Sequence, residues 1–202
     1  MTAQRFVVWD KADRYGTEYA DVSLEGDRMS ATGTAIGWDP LAYVMEYDLA
    51  TGVDWVTSRL RVRSRGAGWH RSLDLRRSAD GGWSVKANVE GDADLLPSGG
   101  DVVAIDAALD CDLGLSPLTN AMPVLRHNLL QRNGSHEFVM AWVSVPDLGV
   151  HASGQRYTTR GEDAEGRRII EYSSIKRDFV ADLTFDADGL VVDYPRLGRR
   201  VP

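Results

Sequence analysis

Asp106-Ala107-Ala108-Leu109-Asp110-Cys111-Asp112-Leu113-Gly114-Leu115-Ser116-Pro117-Leu118-Thr119-Asn120-Ala121-Met122-Pro123-Val124-Leu125-Arg126 is the passage of this 202-residue chain that no generic β pattern would produce. Pro117 and Pro123 fix φ at their own positions and disfavour the helical region for the residues before them. That predicts a segment that is extended or sharply turned, a linker of fixed geometry between two strand-rich halves.

Upstream, Arg5 to Trp9 reads as a short first strand, and Thr17 to Leu24 and Arg28 to Ile36 as a hairpin turning at Glu25-Gly26-Asp27. Leu41 to Leu49 continues the pattern. Asp54 to Arg65 alternates, with Val56, Ser58, Leu60 and Val62 on one face and Trp55, Thr57, Arg59, Arg61 and Arg63 on the other. Gly66-Ala67-Gly68 turns the chain into Trp69 to Arg77, and Ala79-Asp80-Gly81-Gly82 turns it into Trp83 to Val89. Glu90 to Asp101 is a polar loop, and Val102 to Ala108 suits a strand or the start of a short helix equally well.

Downstream, Val124 to Gln131 is the best helical candidate, ending at Asn133-Gly134. Strands follow at His136 to Val145, Leu148 to Thr159, Arg167 to Ser174 and Asp178 to Phe185. An Asp186-Ala187-Asp188-Gly189 turn leads into Leu190 to Tyr194. His136 to Val145 is apolar on both faces, which implies cover on both sides, by protein or by ligand. The halves can be laid on each other: Ala31-Thr32-Gly33 on Ala152-Ser153-Gly154, Val44 to Tyr47 on Ile169 to Tyr172, and Leu60 to Val62 on Leu183 to Phe185.

Length suits one domain spanning residues 1–202 with a real core. A net charge of -7 disfavours nucleic acid and anionic membranes as partners. The single cysteine, Cys111, excludes an intramolecular disulfide framework, and no apolar run reaches the length of a signal peptide core or a membrane span. The expected address is therefore the cytoplasm, without stable membrane insertion. Oligomeric state is not legible.

Asp110 to Pro123, with Gln155-Arg156-Tyr157 and Asp188 to Pro195, resembles the bacterial family labelled putative glycolipid-binding, and the resemblance covers nearly the whole chain. It implies a many-stranded antiparallel sheet curled into an open or closed barrel, similar to periplasmic lipoprotein carriers. An apolar interior would take a lipid or glycolipid. The first residues do not read as an export signal, so a periplasmic carrier role is not expected.

Asp101, Asp106, Asp110 and Asp112 lack the spacing of a calcium loop and suit caps and turns better. His70, His127, His136 and His151 show no zinc spacing, Ser116 lacks the glycine of a nucleophile elbow, and Cys111 has no visible base. No metal and no cofactor are expected. Arg59, Arg61 and Arg63 share a strand face with Trp55, which suits an anionic or sugar head group, or else a solvated outer face paired with acids. Trp142, Tyr157, Tyr172 and Phe179 could line a cavity or fill a core. Asn120 and Arg126 flank Pro123 in the rigid segment and could be aimed at a ligand or tie the halves together. The expected ligand-binding set is Trp55, Arg59, Asn120, Arg126, Trp142, Tyr157 and Tyr172. The function expected is binding of an amphipathic small molecule. An enzyme using Asp110, Asp112, Asn120 and Arg126 on such a lipid, and a filled barrel acting as a scaffold, stay open beside it.

Overall fold

The alternating segments become strands. The computed structural model describes residues 2–12, 16–176 and 178–202, and places these strands in one continuous sheet. In chain order they are β1 (Thr2–Lys11), β2 (Gly16–Glu25), β3 (Arg28–Gly37), β4 (Tyr43–Thr51), β5 (Thr57–Gly66), β6 (Trp69–Arg77) and β7 (Trp83–Gly91). The second half supplies β8 (Asp110–Leu113), β9 (Ser135–Val143), β10 (Val150–Glu162), β11 (Arg168–Ser174), β12 (Phe179–Phe185), β13 (Val191–Tyr194) and β14 (Gly198–Arg200). The spatial order is β7-β6-β5-β4-β3-β2-β1-β14-β13-β12-β11-β10-β9-β8. Neighbours are antiparallel except β8 and β9, which are parallel. No ladder joins β7 to β8 among the described residues, so the sheet is curled but open.

β1 to β7 and β9 to β14 are meanders, with β4 and β11 each fourth from the β1–β14 junction. The ladders differ in register. Tyr47 lies opposite Gly33 and Val62, whereas Tyr172 lies opposite Tyr157 and Ala181. The residue matches read from the sequence therefore do not share one register: Gly154 and Phe185 are not the partners of Tyr172.

The central segment lies between the halves and is more than a linker. From Asp110 to Arg126 every residue is buried or half-buried, because the segment fills the inside of the curl. Of the extended and sharply turned forms its prolines allow, it takes the turned one around Pro117 and is helical at Pro123. Pro117 precedes a 3-10 turn at Leu118–Asn120, and this runs directly into α1 (Ala121–Arg126). Pro123 is the third residue of α1, in the first turn, where its missing N–H would have had no intrahelical partner. The helix thus begins earlier than the sequence predicts and ends at Arg126. A positive φ of 53° at Asn128 prevents it from running on to Gln131. Val102 to Ala108 is resolved as a 3-10 turn at Val103–Ile105, with Asp101 Oδ1 accepting the Val103 N–H at 2.9 Å.

β8 and β9 form a wall shared by two cores. Cys111, Leu113, Ala141 and Val143 pack with the inner face of the first half, including Trp9, Met45, Leu60 and Leu75. Phe138, on the other face, joins Tyr157, Ile170, Leu183, Phe185 and Val191, together with Val124 and Leu129 from the segment and the turns after α1. Parts of β9 are therefore covered by protein on both sides, as its composition predicts, while its first residues are more open.

Trp55 departs from the alternating pattern. Val53–Trp55 is a 3-10 turn with φ of 56° at Asp54 and 61° at Trp55, so β5 begins only at Thr57. A register shift opposite Ala50 and Thr51 turns Thr57 into the core, and Trp55 does not share a strand face with the arginines. Those arginines lie on the outer surface, where Arg59 pairs with Asp74 at 2.7 Å and Arg61 with Asp48 at 3.1 Å.

Two expectations follow from the packing. Gly189 closes the β12–β13 hairpin at φ of 80°, and a Cβ there would sit 2.6 Å from Leu125 Cδ2. Gly189→Val should lower unfolding free energy by about 1 kcal/mol or more in a urea melt, since a β-branched residue meets both the backbone strain and the contact. Cys111 is fully buried, and burial pushes its thiol up to about 12. At pH 8 a thiol reagent should modify it only at the rate of unfolding, so rapid labelling of native protein would contradict this packing.

Candidate functional site

Antiparallel neighbours alternate in direction, so β1, β3, β9, β11 and β13 all end on the same side of the sheet, and β8 ends there too. At that end lies a cleft of about 900 Å³. Its floor is the turn Leu113 to Ser116, where the central segment leaves β8 and bends back into the curl. Lys11, Trp38, Asp39 and Tyr43 border it from the first half, and Tyr172, Phe179, Tyr194 and Arg196 from the second. Trp142, Ser144, Asp147 and His151 come from β9, β10 and the loop between them.

The floor is held by a buried carboxylate. Glu18 is fully buried and accepts hydrogen bonds from Ser116 Oγ at 2.6 Å, Tyr47 OH at 2.9 Å and Lys11 Nζ at 3.0 Å. Lys11 also donates to the Leu115 carbonyl. Burial, reinforced by the Glu18 charge, holds the Tyr47 phenol well above its ordinary value, so it remains a donor. Leu115 has φ of 62°, a conformation uncommon for a leucine, and this arrangement fixes it. Next to it, Gly114 donates its N–H to the Val143 carbonyl at 2.8 Å. A Cβ at Gly114 would stand 2.8 Å from that oxygen and 3.3 Å from Trp142 Nε1, so the close approach requires glycine.

Behind the floor is a polar network. Asp112, half-buried at the cleft, accepts from Gln155 Nε2 at 2.5 Å and Thr119 Oγ1 at 3.2 Å. Tyr157 OH donates to Asn120 Oδ1 at 2.8 Å, and Asn120 Nδ2 donates to the Pro117 carbonyl at 3.1 Å. Deeper still, Arg126 embraces both oxygens of Asp110, with Nη1 to Oδ1 at 2.6 Å. Burial pushes the Asp110 carboxyl upward while the guanidinium pulls it down. An aromatic back wall completes the site: Tyr172 meets Tyr157 edge-on at 5.5 Å between centroids, with Tyr194 and Phe179 at 5.9 and 6.0 Å.

Of the residues expected to bind ligand, Asn120, Trp142 and Tyr172 line the cleft. Tyr157 and Arg126 lie behind it, where Tyr157 orients Asn120 and Arg126 neutralises Asp110. Trp55 and Arg59 are outside the cleft, Arg59 on the outer face with Asp74. Sequence reasoning missed Lys11, Trp38, Asp39, Asp147 and Arg196, which come from strand ends and loops far apart in the chain. Among the described residues no group of three or more His, Cys, Asp or Glu is arranged to hold a metal. Chemically, the cleft offers aromatic faces beside carboxylates, an amide and hydroxyls. That combination can stack on an apolar ring face while hydrogen-bonding the groups at its edge.

The family described as putative glycolipid-binding matches residues 6–200. A crystal structure of a DUF1089 family protein from Pseudomonas aeruginosa is similar, with a TM-score of 0.69 and 26% identity, covering 96% of this chain and 95% of that one. No curated protein matches the chain.

The Asp110–Arg126 pair gives a direct test of the network. Arg126→Ala should destabilise the protein by about 3–5 kcal/mol, because it strands a buried carboxylate. Combining Asp110→Leu with Arg126→Met should recover most of that loss, since an apolar pair needs no desolvated charge. Denaturant melts of the two variants check this, and equal losses in both would show that shape rather than charge governs the position.

Proposed function

The chain belongs to the putative glycolipid-binding family, and on that premise we propose that its cleft binds the sugar-bearing head group of an amphiphile. The observation that carries this is the lining: Trp142, Tyr172 and Tyr43 supply ring faces, and Asp39, Asp112, Asp147 and Asn120 supply polar groups at the same opening. Sugar rings present an apolar face bounded by hydroxyls, which is the pattern such a lining matches. A long acyl chain is not what these walls favour. The space inside the curl is filled by the chain itself, with Asn120, Ala121, Met122 and Val124 all buried there. The head group therefore sits in the cleft, and the tail points out of it.

Titration calorimetry with alkyl glycosides of increasing tail length, below their micellar concentrations, tests this reading. Affinity should depend on the sugar and change little as methylenes are added beyond the first few. Trp142→Ala and Asp112→Asn should each weaken binding about tenfold or more, in line with about 1–3 kcal/mol for a lost ring face or polar partner. Affinity that instead climbs by about 0.8 kcal/mol for every added methylene would mean a buried tail and would overturn the assignment.

A further inference from the structure

Three loops that are distant in sequence each expose one large apolar side chain at the cleft end of the sheet. Trp38, between β3 and β4, is 69% exposed; Leu96, between β7 and β8, 71%; and Ile175, between β11 and β12, 51%. Trp38 and Leu96 themselves line the cleft, and Ile175 follows Ser174, which also does. Ile36, two residues before Trp38 on the outer face of β3, is 46% exposed and extends the apolar rim. Single exposed apolar residues are ordinary on a protein surface, but here Trp38 and Leu96 border one opening from separate connections, and Ile175 stands against Gly154 at the same end of the sheet.

From this we infer that the cleft end docks on the surface of a lipid bilayer, with Trp38, Leu96 and Ile175 entering its interfacial region. The inference rests on the head-group reading above. If the polar part of an amphiphile occupies the cleft, its tail cannot continue inward, because buried Asn120, Tyr157 and Val124 occupy that space. The tail must leave through the mouth, past those apolar side chains, and the solvent that suits it there is the membrane in which it already resides. Tryptophan and branched aliphatic residues are the types that gain most from the head-group and acyl boundary. Exposed Lys176 follows Ile175, and exposed Arg196, over the Phe179 ring, follows the end of β13; long cationic side chains at such positions can reach lipid phosphates. A net charge of -7 disfavours a strongly anionic surface, so the partner is a bilayer of neutral, zwitterionic lipid. Such docking is peripheral: no helix of the described residues is long and apolar enough to cross a membrane.

Co-sedimentation of the full chain with phosphatidylcholine vesicles tests the inference. The parent should bind, and Ile175→Ser should weaken vesicle binding about tenfold while leaving calorimetric binding of a soluble alkyl glycoside unchanged, since Ile175 does not line the cleft. Quenching by brominated phosphatidylcholine gives a second readout: the fluorescence lost should be larger in the parent than in Trp38→Phe. A parent that ignores vesicles, or an Ile175→Ser variant that binds them as tightly with no Trp38-dependent quenching, would overturn the docking. Concentration-dependent dimerisation abolished by Ile175→Ser, without vesicle binding, would also overturn it and assign the rim to a second copy of the chain. Vesicle binding that depends on the rim, in a protein that binds no glycoside, would leave the docking intact and remove only the head-group assignment.

Discussion

The carboxylate of Glu18 is the constraint on which the rest of the architecture depends. A charge with no exposure to water costs several kcal/mol unless its partners are in place. Here they come from three separate parts of the chain: Lys11 at the end of β1, Tyr47 in β4 and Ser116 in the central segment. The result is that the turn after β8 is pinned against the first half of the sheet. With that turn fixed, β8 and β9 become a wall between two cores, and the residues after Ser116 are directed back into the curl. At the opposite end of the segment, Asp110 and Arg126 do the same work between β8 and the end of α1.

A curled sheet of this size encloses more space than its own inward side chains need to fill, and this protein divides that space between two uses. One end is packed solid by the central segment, with Leu118, Ala121, Met122 and Val124 at the centre. The other end stays open above the Leu113 to Ser116 turn as the cleft. Because the polar groups there are already oriented by buried partners, Asp112 by Gln155 and Asn120 by Tyr157, little ordering remains to be done when a ligand enters. The packed end limits what can enter, and the apolar side chains around the open end favour an amphiphile whose tail stays outside.

Much of the sheet is legible in the sequence because its strands keep period two over long stretches. Trp69–Arg77 is read with the bounds it has in the fold, and the hairpin glycines fall where the turns are. The features without a sequence signal are local. β14 is three residues of glycine and arginine with no alternation to detect, yet it joins the two halves through β1. Pro117 and Pro123 point to a segment that is extended or sharply turned because a proline disfavours helix before it, whereas the first turn of a helix tolerates one; tertiary burial of Ala121, Met122 and Val124 then places a short helix at Pro123. Asn120, Trp142 and Tyr172 border the cleft, Arg59 takes the outer-face pairing with an acid that its strand pattern also allows, and Trp55 leaves the strand because β5 begins only at Thr57. One signal was available and unused. Period two places Glu18 on the same face as Ala20 and Val22, so an acid among inward residues already asks for buried partners. The cleft's loop residues carry no comparable signal, since Trp38, Asp147 and Arg196 are brought together only by the curl.

The most direct measurement is a crystal structure of the protein bound to a medium-chain alkyl glycoside. The sugar should lie above the Leu113 to Ser116 turn, with a ring face on Trp142 or Tyr172 and hydroxyls toward Asp112 and Asn120, and the alkyl chain should emerge beside Trp38 and Leu96. A chain threaded inward past Tyr157, or a sugar bound on another face of the sheet, would contradict the division of the interior described here.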